Sequence, residues 1–439
     1  MSEDPQTAPA TIPPRSRITS AVPKPRSLRP FSGLGYVGWI RLARAATAAL
    51  WILYLSTSLG TRGLFEYAGI DFRAFRAAAE VARRDGFARV YDLEALAPEE
   101  KRLMQWAAPS VQAHFEVVPV PYLPVFILPF LPLLAVDPLV GLGLWTAGNA
   151  LLTWLALRWV LPPGEGWVAR SAFLSLPVVL TLLFGQVNAW LMIGLAGYLV
   201  FLQRQRRFMA GMWLGLLLVK PQIVVLLIVG LLLSRKWRTL SGVFVASLGA
   251  LAGSVALAGT EGLVRLIDLV LRYPANLATT FPESMMNWRA IGLLLGPVLG
   301  TGLAWGMASV GLVSTIALTV AIAVKSARGE GLSTQPLLVL GLYAGSCAVS
   351  WHAHVHVAAP LLVPLAWLTA RGGWPRWKFD LWVLLPAAIF ALGGLTLGAG
   401  SAHRIAGILL LTLNTATLVW ARSAIAQRSG GTHLRGTAT

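Results

Sequence analysis

Polar residues interrupt the apolar runs of this chain at three places, and their types could bind an anion or move a proton. The three runs read FGQVNAW, LVKPQIV and SWHAHVHVA. Their polar residues are Gln186, Asn188, Lys220, Gln222, His352, His354 and His356. An ionisable group near hydrocarbon is energetically unfavourable and usually faces a cavity or a partner. We therefore predict that these residues contact a bound ligand.

Lys220 is the lysine that lies inside an apolar run, and Pro221 follows it directly. Proline breaks a regular helix, and a broken helix at membrane depth is tolerated only where the chain lines a protein-buried or water-filled cavity. An ammonium group in such a cavity could neutralise a phosphate. The alternative is a lysine that extends its amine to the membrane interface.

The three alternate histidines resemble metal ligands only at first sight. In a helix, His352 and His356 would share a face and His354 would not. No carboxylate stands near them in sequence, and metal sites need three or four ligands. We predict no metal site, and we expect one or two of the histidines to hydrogen-bond a ligand or exchange a proton with it. Purely structural histidines are the alternative.

A long polar segment, residues 61–118, supplies carboxylates. Within it Phe72, Phe75, Ala79 and Ala82 fall on one helical stripe, which predicts an amphipathic helix at the membrane interface. Asp71 stands at the N-terminal edge of this helix. It could be a simple N-cap, or it could stand above the embedded polar residues and act on a ligand with them.

Together these groups suit a reaction between a lipid-borne phosphorylated substrate and a hydroxyl acceptor. The cation would neutralise the leaving phosphate while the carboxylate takes a proton. One carboxylate suffices for an inverting displacement, whereas retention needs a second one close by. Glu66, Glu80, Asp85 and Asp92 lie in the same segment, so retention stays open. No D-x-D pair occurs, which disfavours a nucleotide-sugar donor held through a divalent metal.

The composition indicates which elements carry these residues. Of 439 residues, 56% are hydrophobic and 12% charged, whereas soluble domains carry about 25% charged residues. Apolar runs of about 20 residues, enough to cross a bilayer, recur from residue 45 to 422. The sequence thus predicts an all-α polytopic membrane protein. Cys347 is the only cysteine, which excludes a disulfide framework.

The net charge of +18 indicates how the chain lies across the membrane rather than a nucleic-acid partner. Residues 1–38 are rich in proline and basic residues and lack a signal peptide, which predicts a disordered cytoplasmic tail. A first span at 43–60 then delivers residues 61–118 to the outside, and basic clusters mark the cytoplasmic returns. The further predicted spans are 139–160, 170–184, 187–203, 208–234, 239–258, 291–324, 335–350, 355–370, 381–398 and 402–421.

The segment 117–136 is ambiguous because it holds five prolines. We predict a re-entrant hairpin, with a true span as the alternative. The complete layout has a transmembrane domain at 39–422, outer loops at 61–118 and 259–290, and a basic cytoplasmic tail at 423–439. It predicts a multi-pass plasma-membrane protein with both termini in the cytoplasm and the site outside.

The outer loop 259–290 has polar and aromatic residues that suit a carbohydrate, although an ordinary interfacial loop is the alternative. The predicted contacts with an acceptor, or within the loops, are Arg73, Tyr122, Asn287, Trp288 and Arg289.

Several short motifs, taken in order, resemble glycosyltransferase family 87. They are DFRAFRAAAE, VYD at 90–92, PYLP, FGQVN, GLLLVKPQ and SWHAHVH. The resemblance covers about residues 43–370. Members of the family are polyprenol-phosphate-mannose-dependent mannosyltransferases of the GT-C superfamily.

This resemblance implies a GT-C glycosyltransferase fold with about 11–13 transmembrane helices and Asp71 as the general base. It also implies a polyprenyl-phosphate sugar donor, usually of mannose, inversion to an α-linked product, and no metal or other cofactor. Lys220, Gln222, Gln186, Asn188 and the three histidines would then bind the phosphate and sugar of the donor. Only a generic glycolipid or glycan acceptor is implied.

Rival functions place polar residues near mid-membrane too. A secondary transporter or lipid flippase of the cell envelope commonly has inverted repeats with paired broken helices, whereas the break at Lys220 has no obvious mate here. A non-catalytic assembly protein of an envelope-synthesis complex and another lipid-linked transferase, such as a ligase, are the remaining alternatives.

Overall fold

The protein is described by a computed structural model that covers residues 35–112, 115–272, 281–327 and 335–430. Residues 1–34, most of the predicted N-terminal tail, and residues 273–280 of the predicted outer loop lie outside the described ranges. The chain divides into two units, residues 1–41 and 42–439. The described part of the first unit is the start of the first helix, and everything that follows concerns the second.

The described residues form helices and no β-strand, which confirms the all-α prediction. In chain order the α-helices are α1 (Tyr36–Arg62), α2 (Ile70–Asp85), α3 (Leu93–Leu103), α4 (Pro109–Gln112), α5 (Pro138–Val160), α6 (Gly166–Ala172), α7 (Leu176–Phe184), α8 (Asn188–Gln203), α9 (Arg207–Leu214), α10 (Val225–Leu233), α11 (Trp237–Arg272), α12 (Trp288–Leu299), α13 (Thr301–Ala327), α14 (Gln335–Val349), α15 (Leu362–Ala370), α16 (Arg376–Thr396) and α17 (Ala399–Gly430). The 3-10 helices are Phe87–Tyr91, Met104–Trp106, Pro124–Phe130, Pro132–Ala135, Gly215–Val219, Pro221–Ile223, Pro282–Ser284 and Val355–Leu361.

Six of these helices, α1, α5, α11, α13, α16 and α17, are long and apolar enough to cross a bilayer. The helices α6 and α7 meet at 61° and together would make a seventh. The protein is therefore a polytopic membrane protein, as predicted. The predicted count of about 11–13 crossings also includes shorter apolar helices such as α8, whose 16 residues extend only about 24 Å. That count stays a prediction.

The most buried helices lie beside the predicted polar runs. In α14 every residue from Pro336 to Ala348 is buried, and all of Val355–Leu361 is buried as well. These two elements lie against α7, α8 and α17. The SWHAHVH run connects them and is thus carried at the centre of the helix bundle.

The break predicted at Lys220-Pro221 is present. The α9 helix tightens into a 3-10 helix that ends at Val219, and Lys220 has a non-helical backbone with φ −129° and ψ 77°. A second 3-10 helix, Pro221–Ile223, leads into α10. The chain therefore turns at Lys220 between two short helices.

The predicted amphipathic helix is α2, and its predicted stripe of Phe72, Phe75, Ala79 and Ala82 is buried. It packs against α3 and the 3-10 helix Phe87–Tyr91. The alternative that Asp71 is the N-cap is wrong, because Gly69 takes that position with a left-handed backbone and Asp71 lies in the first helical turn.

Several boundaries differ from the predicted layout. The first helix begins at Tyr36, within the predicted tail, and α17 extends to Gly430, beyond the predicted start of the C-terminal tail at residue 423. The segment 117–136 forms two short 3-10 helices, so its predicted re-entrant path stays a prediction. The α11 helix kinks at Gly259, where φ is 64°, and continues to Arg272 inside the predicted outer loop.

Candidate active site

A cavity of about 590 Å³ opens where helix ends and helix breaks meet. Its polar and aromatic lining residues are Arg62, Glu66, Tyr67, Asp71, Tyr122, Phe184, Gln186, Lys220, Gln222, Phe281, Glu283, Ser284, Trp351, His352, His354, His356 and His403. Residues 118–122 form one side, which we call the cavity wall. Eight of the thirteen predicted site residues therefore line a single cavity: Asp71, Tyr122, Gln186, Lys220, Gln222, His352, His354 and His356.

Asp71 is held in the cavity by the contact between the start of α2 and the turn after α7. The backbone N–H of Gly69 donates to Leu183 O at 2.7 Å. Gly185 has φ 74°, and a Cβ atom there would lie 2.6 Å from Cβ of Phe72. This turn therefore needs glycine both for its left-handed backbone and for its close approach to α2.

The surroundings of Asp71 favour a carboxylate that can accept a proton. The Gln186 amide donates a hydrogen bond to it. Burial raises the pKa of the Asp71 carboxyl, whereas the Lys220 ammonium, the Gln186 hydrogen bond and the Arg73 guanidinium oppose that rise. A carboxylate with a raised pKa is a better base near neutral pH than an exposed aspartate.

Lys220 brings a buried cation into the cavity. Its side chain is 4% exposed, and its Nζ lies 3.4 Å from Nε2 of His356. An ammonium group can only donate, so this histidine nitrogen accepts. Within the described ranges no carboxylate oxygen lies within ion-pairing distance of Nζ. The cation therefore keeps donors that an anionic ligand could use.

The three histidines reach the cavity because residues 351–354 are not helical. The N–H of Met286 donates to Ala353 O at 2.9 Å, which holds this segment against residues 281–286. His354 contacts His352 through their Nε2 atoms at 2.9 Å and Ser284 through Nδ1. His356 lies further along, next to Lys220, with its ring edge-on to Phe184.

The five remaining predicted residues do not line the cavity, and three of them brace its walls. Asn188 donates to His356 O at 3.1 Å and so ties the start of α8 to the histidine segment. Asn287 caps α12 and donates to Ser350 O at 2.9 Å. The Arg289 guanidinium lies 4.2 Å from the ring of Trp351.

Trp288 and Arg73 lie away from the cavity lining. The Trp288 indole N–H donates to Thr315 Oγ1 at 2.8 Å. Arg73 is 1% exposed and forms an ion pair with Glu100.

Several lining residues were not predicted from the sequence, among them Arg62, Tyr67, Ser284 and His403. His403 lies in an apolar run, so the signal that identified Lys220 applied to it as well. It is 8% exposed and its Nδ1 contacts Ala399 O at 2.8 Å. Arg62, at the end of the first span, had no such signal.

No group of three or more His, Cys, Asp or Glu side chains in the described residues could hold a metal ion.

Comparison with known protein families matches residues 121–350 to glycosyltransferase family 87. The matched range contains Tyr122, Gln186, Lys220 and Gln222, and its limits fall after Asp71 and before the histidine run. No curated protein matches the chain. No solved structure matches it either.

Proposed function

The chain belongs to glycosyltransferase family 87, and from that premise we propose that it is an inverting membrane glycosyltransferase with a polyprenyl-phosphate sugar donor. The transferred sugar is mannose, and inversion at its anomeric carbon gives an α-linked product. The acceptor is a hydroxyl of a glycolipid or glycan. The observation that carries the proposal is that Asp71, Gln186 and Lys220 share one cavity.

In the proposed reaction Asp71 is the general base. The acceptor oxygen attacks the anomeric carbon from the face opposite the phosphate, and its proton passes to the Asp71 carboxylate. The bond between the anomeric carbon and the phosphate oxygen breaks, and polyprenyl phosphate leaves with the bonding electrons. One carboxylate on the acceptor side suffices, because inversion needs no covalent sugar intermediate.

The reaction also requires stabilisation of the negative charge that develops on the phosphate, and the buried cation Lys220 provides it. Lys220 is preorganised for this role because the helix break fixes its backbone and His356 contacts its amine. Gln186, Gln222, His352 and His354 would complete the donor site, with Asn188 as a brace behind it.

The position of the cavity at one end of α1 supports a lipid-borne donor. Arg62, at one end of α1, lines the cavity, whereas Arg44 lies 18 residues earlier in the same helix. At about 1.5 Å per residue this separation is roughly 27 Å, close to the thickness of a hydrocarbon core. This separation supports a cavity near one membrane surface, within reach of a phosphate headgroup.

The charge distribution supports an extracytoplasmic site, and we propose the plasma membrane as its location. Arg371 and Arg376 lie at the ends of α15 and α16 away from the cavity, and Arg158 lies in the last turn of α5. Arg44 of α1 pairs with Asp380 near the start of α16. Positive charge concentrates on the cytoplasmic side of membrane proteins. We infer that those ends and both termini are cytoplasmic and that the cavity opens outside.

The proposal is tested by incubating the purified protein with polyprenyl-phosphate-mannose and total membrane glycolipids. A glycolipid that gains the mass of one hexose, with release of polyprenyl phosphate, is the expected result. A flippase would instead move labelled lipid across proteoliposomes without any new glycosidic bond, and that outcome would overturn the proposal.

A further inference from the structure

Arg73 lies two residues after Asp71 in α2 and is the centre of a buried polar cluster. Its Nε donates to Glu100 Oε2 at 2.9 Å, and its Nη1 donates to Phe65 O at 2.9 Å. Its Nη1 also contacts Met104 Sδ at 2.7 Å, and its Nη2 donates to Glu116 O at 3.1 Å. One guanidinium therefore joins α2 to α3 and to the chain segments on either side of them.

Glu100 extends this cluster to the cavity wall. It is fully buried, and both of its carboxylate oxygens accept the backbone N–H of Val118 at 3.2 Å. Val118 is the first residue of the wall, which continues through Pro119, Val120 and Pro121 to Tyr122. The ion pair thus connects the helix that carries Asp71 with the cavity wall.

A second segment of the cavity depends on the same guanidinium. Phe65, whose carbonyl accepts from Arg73, immediately precedes Glu66 and Tyr67, which both line the cavity. Phe65 itself has φ 65°, a backbone conformation that bulky residues rarely adopt. The bond from Arg73 holds this unusual turn in place.

We propose that Arg73 and Glu100 are positioning residues that set the separation between Asp71 and the cavity wall. This inference rests on the proposed function, because it assigns Asp71 as the base. Arginine suits the role since its planar group offers donors in fixed directions, and here those donors reach partners on four different segments. A lysine could keep the charge but could reproduce only part of this geometry.

The charged groups that face Asp71 make the proposal testable by pH. They are Lys220 from the helix break, Arg73 on the same helix and Glu100 from α3, with His356 beyond Lys220. Removing the positive charge of Arg73 makes ionisation of Asp71 harder. Burial raises the pKa of Glu100, whereas the Arg73 guanidinium at 2.9 Å and the Val118 N–H oppose that rise and favour its carboxylate form. Removing that negative charge makes ionisation of Asp71 easier.

The experiment measures sugar transfer by Arg73→Lys, Arg73→Gln and Glu100→Gln. Arg73→Lys should fold and should lower kcat by about 10²-fold, as expected for a catalytic group misplaced by about 1 Å. In Arg73→Gln the acid limb of the kcat/KM profile should move to higher pH, and in Glu100→Gln it should move to lower pH. A purely structural role would not move the two limbs in opposite directions.

A matched control is the second ion pair between the same helices. Arg84 Nη1 lies 2.5 Å from Glu99 Oε1, but neither residue contacts the wall or the cavity. Glu99→Gln should keep wild-type kcat and an unchanged acid limb. Equal losses in Glu99→Gln and Glu100→Gln would overturn the proposal, since the effect would then belong to α2–α3 packing in general.

A readout without catalysis separates this inference from the proposed function. In a Cys347→Ala background, Pro121→Cys introduces a thiol in the wall, and its maleimide labelling should accelerate several-fold when Glu100→Gln is added. An unchanged labelling rate would overturn the proposal even if the enzyme is active. If the wild-type protein transfers no sugar, the proposed function fails, and the labelling still decides whether the pair holds the wall.

Discussion

Both ends of the helix bundle carry cationic side chains, but these side chains have different interaction partners at the two ends. At the end opposite the cavity, Arg44 pairs with Asp380 at 2.6 Å and Arg376 pairs with Glu165 at 3.3 Å. Arg371 donates to Val160 O at 2.9 Å. We call this the basic end.

Tryptophan rings complete the contacts at the basic end. Arg44 and Arg376 both lie over Trp167, and the Arg371 guanidinium lies 3.9 Å from the Trp367 ring centre. Cations and amphipathic aromatics of this kind anchor a protein at a membrane interface. The cations of the basic end therefore have their interaction partners within the protein.

The cavity end leaves comparable charges without ion-pair partners among the described residues. Lys220 contacts His356 rather than a carboxylate, and no cation in the described parts of the chain lies within ion-pairing distance of Asp71 or Glu66. Burial raises the pKa of Glu66 as well as that of Asp71. Under the proposed function, a charge that binds substrate differs from an anchoring charge because it lacks an ion-pair partner among the described residues, and not because of its residue type.

The largest expected effect comes from Asp71→Asn, because the amide cannot take the proton of the acceptor hydroxyl. Loss of a general base typically lowers the rate by about 10²–10⁴-fold, and we expect kcat to fall by that factor while the folded protein persists. Turnover with polyprenyl-phosphate-mannose, measured beside a thermal unfolding curve, checks both. Glu165→Gln at the basic end is the control. Near-normal turnover of Asp71→Asn would remove the base assignment.

Lys220→Ala should have the second largest effect. The loss of one member of a buried charge arrangement amounts to a few kcal/mol, which corresponds to roughly 10²-fold or more in kcat/KM. Initial rates over a range of donor concentrations provide the measurement. The control is Lys378→Ala, because Lys378 lies two residues after Arg376 at the basic end and contacts the Trp374 ring. Unchanged donor affinity and turnover would show that this cation does not contact the phosphate.

The pH dependence of transfer should follow Asp71. The base is active only when it is deprotonated, so kcat/KM should fall about tenfold per pH unit below its pKa. Because burial raises that pKa, the acid limb should lie above about pH 3.9, the value of an exposed aspartate. In Lys220→Ala the limb should move higher still, since the stabilising ammonium is gone. A profile that stays flat down to pH 4 would contradict this interpretation.

Much of this arrangement was readable from the sequence because it depends on local patterns. The stripe of Phe72 and Phe75 predicted a helix with one buried face, and the proline after Lys220 predicted the break. Polar residues within apolar runs pointed to the cavity lining. Each of these signals depends on residues within a few positions of one another, which is the distance over which hydrophobic periodicity and the backbone constraints of proline act.

The roles that sequence reasoning could not assign depend on partners far along the chain. Arg73 stands off the apolar stripe of α2, yet it is buried because Glu100, 27 residues later, covers that face. Asn188 braces a carbonyl 168 residues away. Periodicity indicates which way a side chain points but not what packs over it. The sequence therefore could not distinguish structural contacts of Arg73 and Asn188 from contacts with a ligand.

The smallest expected effect on activity comes from a substitution at the basic end. It tests whether the charges there act independently of those in the cavity. Arg376→Ala removes an exposed pair with Glu165 at 3.3 Å, and exposed pairs contribute about 0–1 kcal/mol to stability. Because this cation is satisfied within the protein and lies opposite the cavity, kcat and donor KM should stay within twofold of wild type. Thermal unfolding and initial-rate kinetics on the same preparation measure both quantities. A tenfold fall in kcat would mean that the two ends act together, and missing partners would then no longer distinguish substrate-binding charges from anchors.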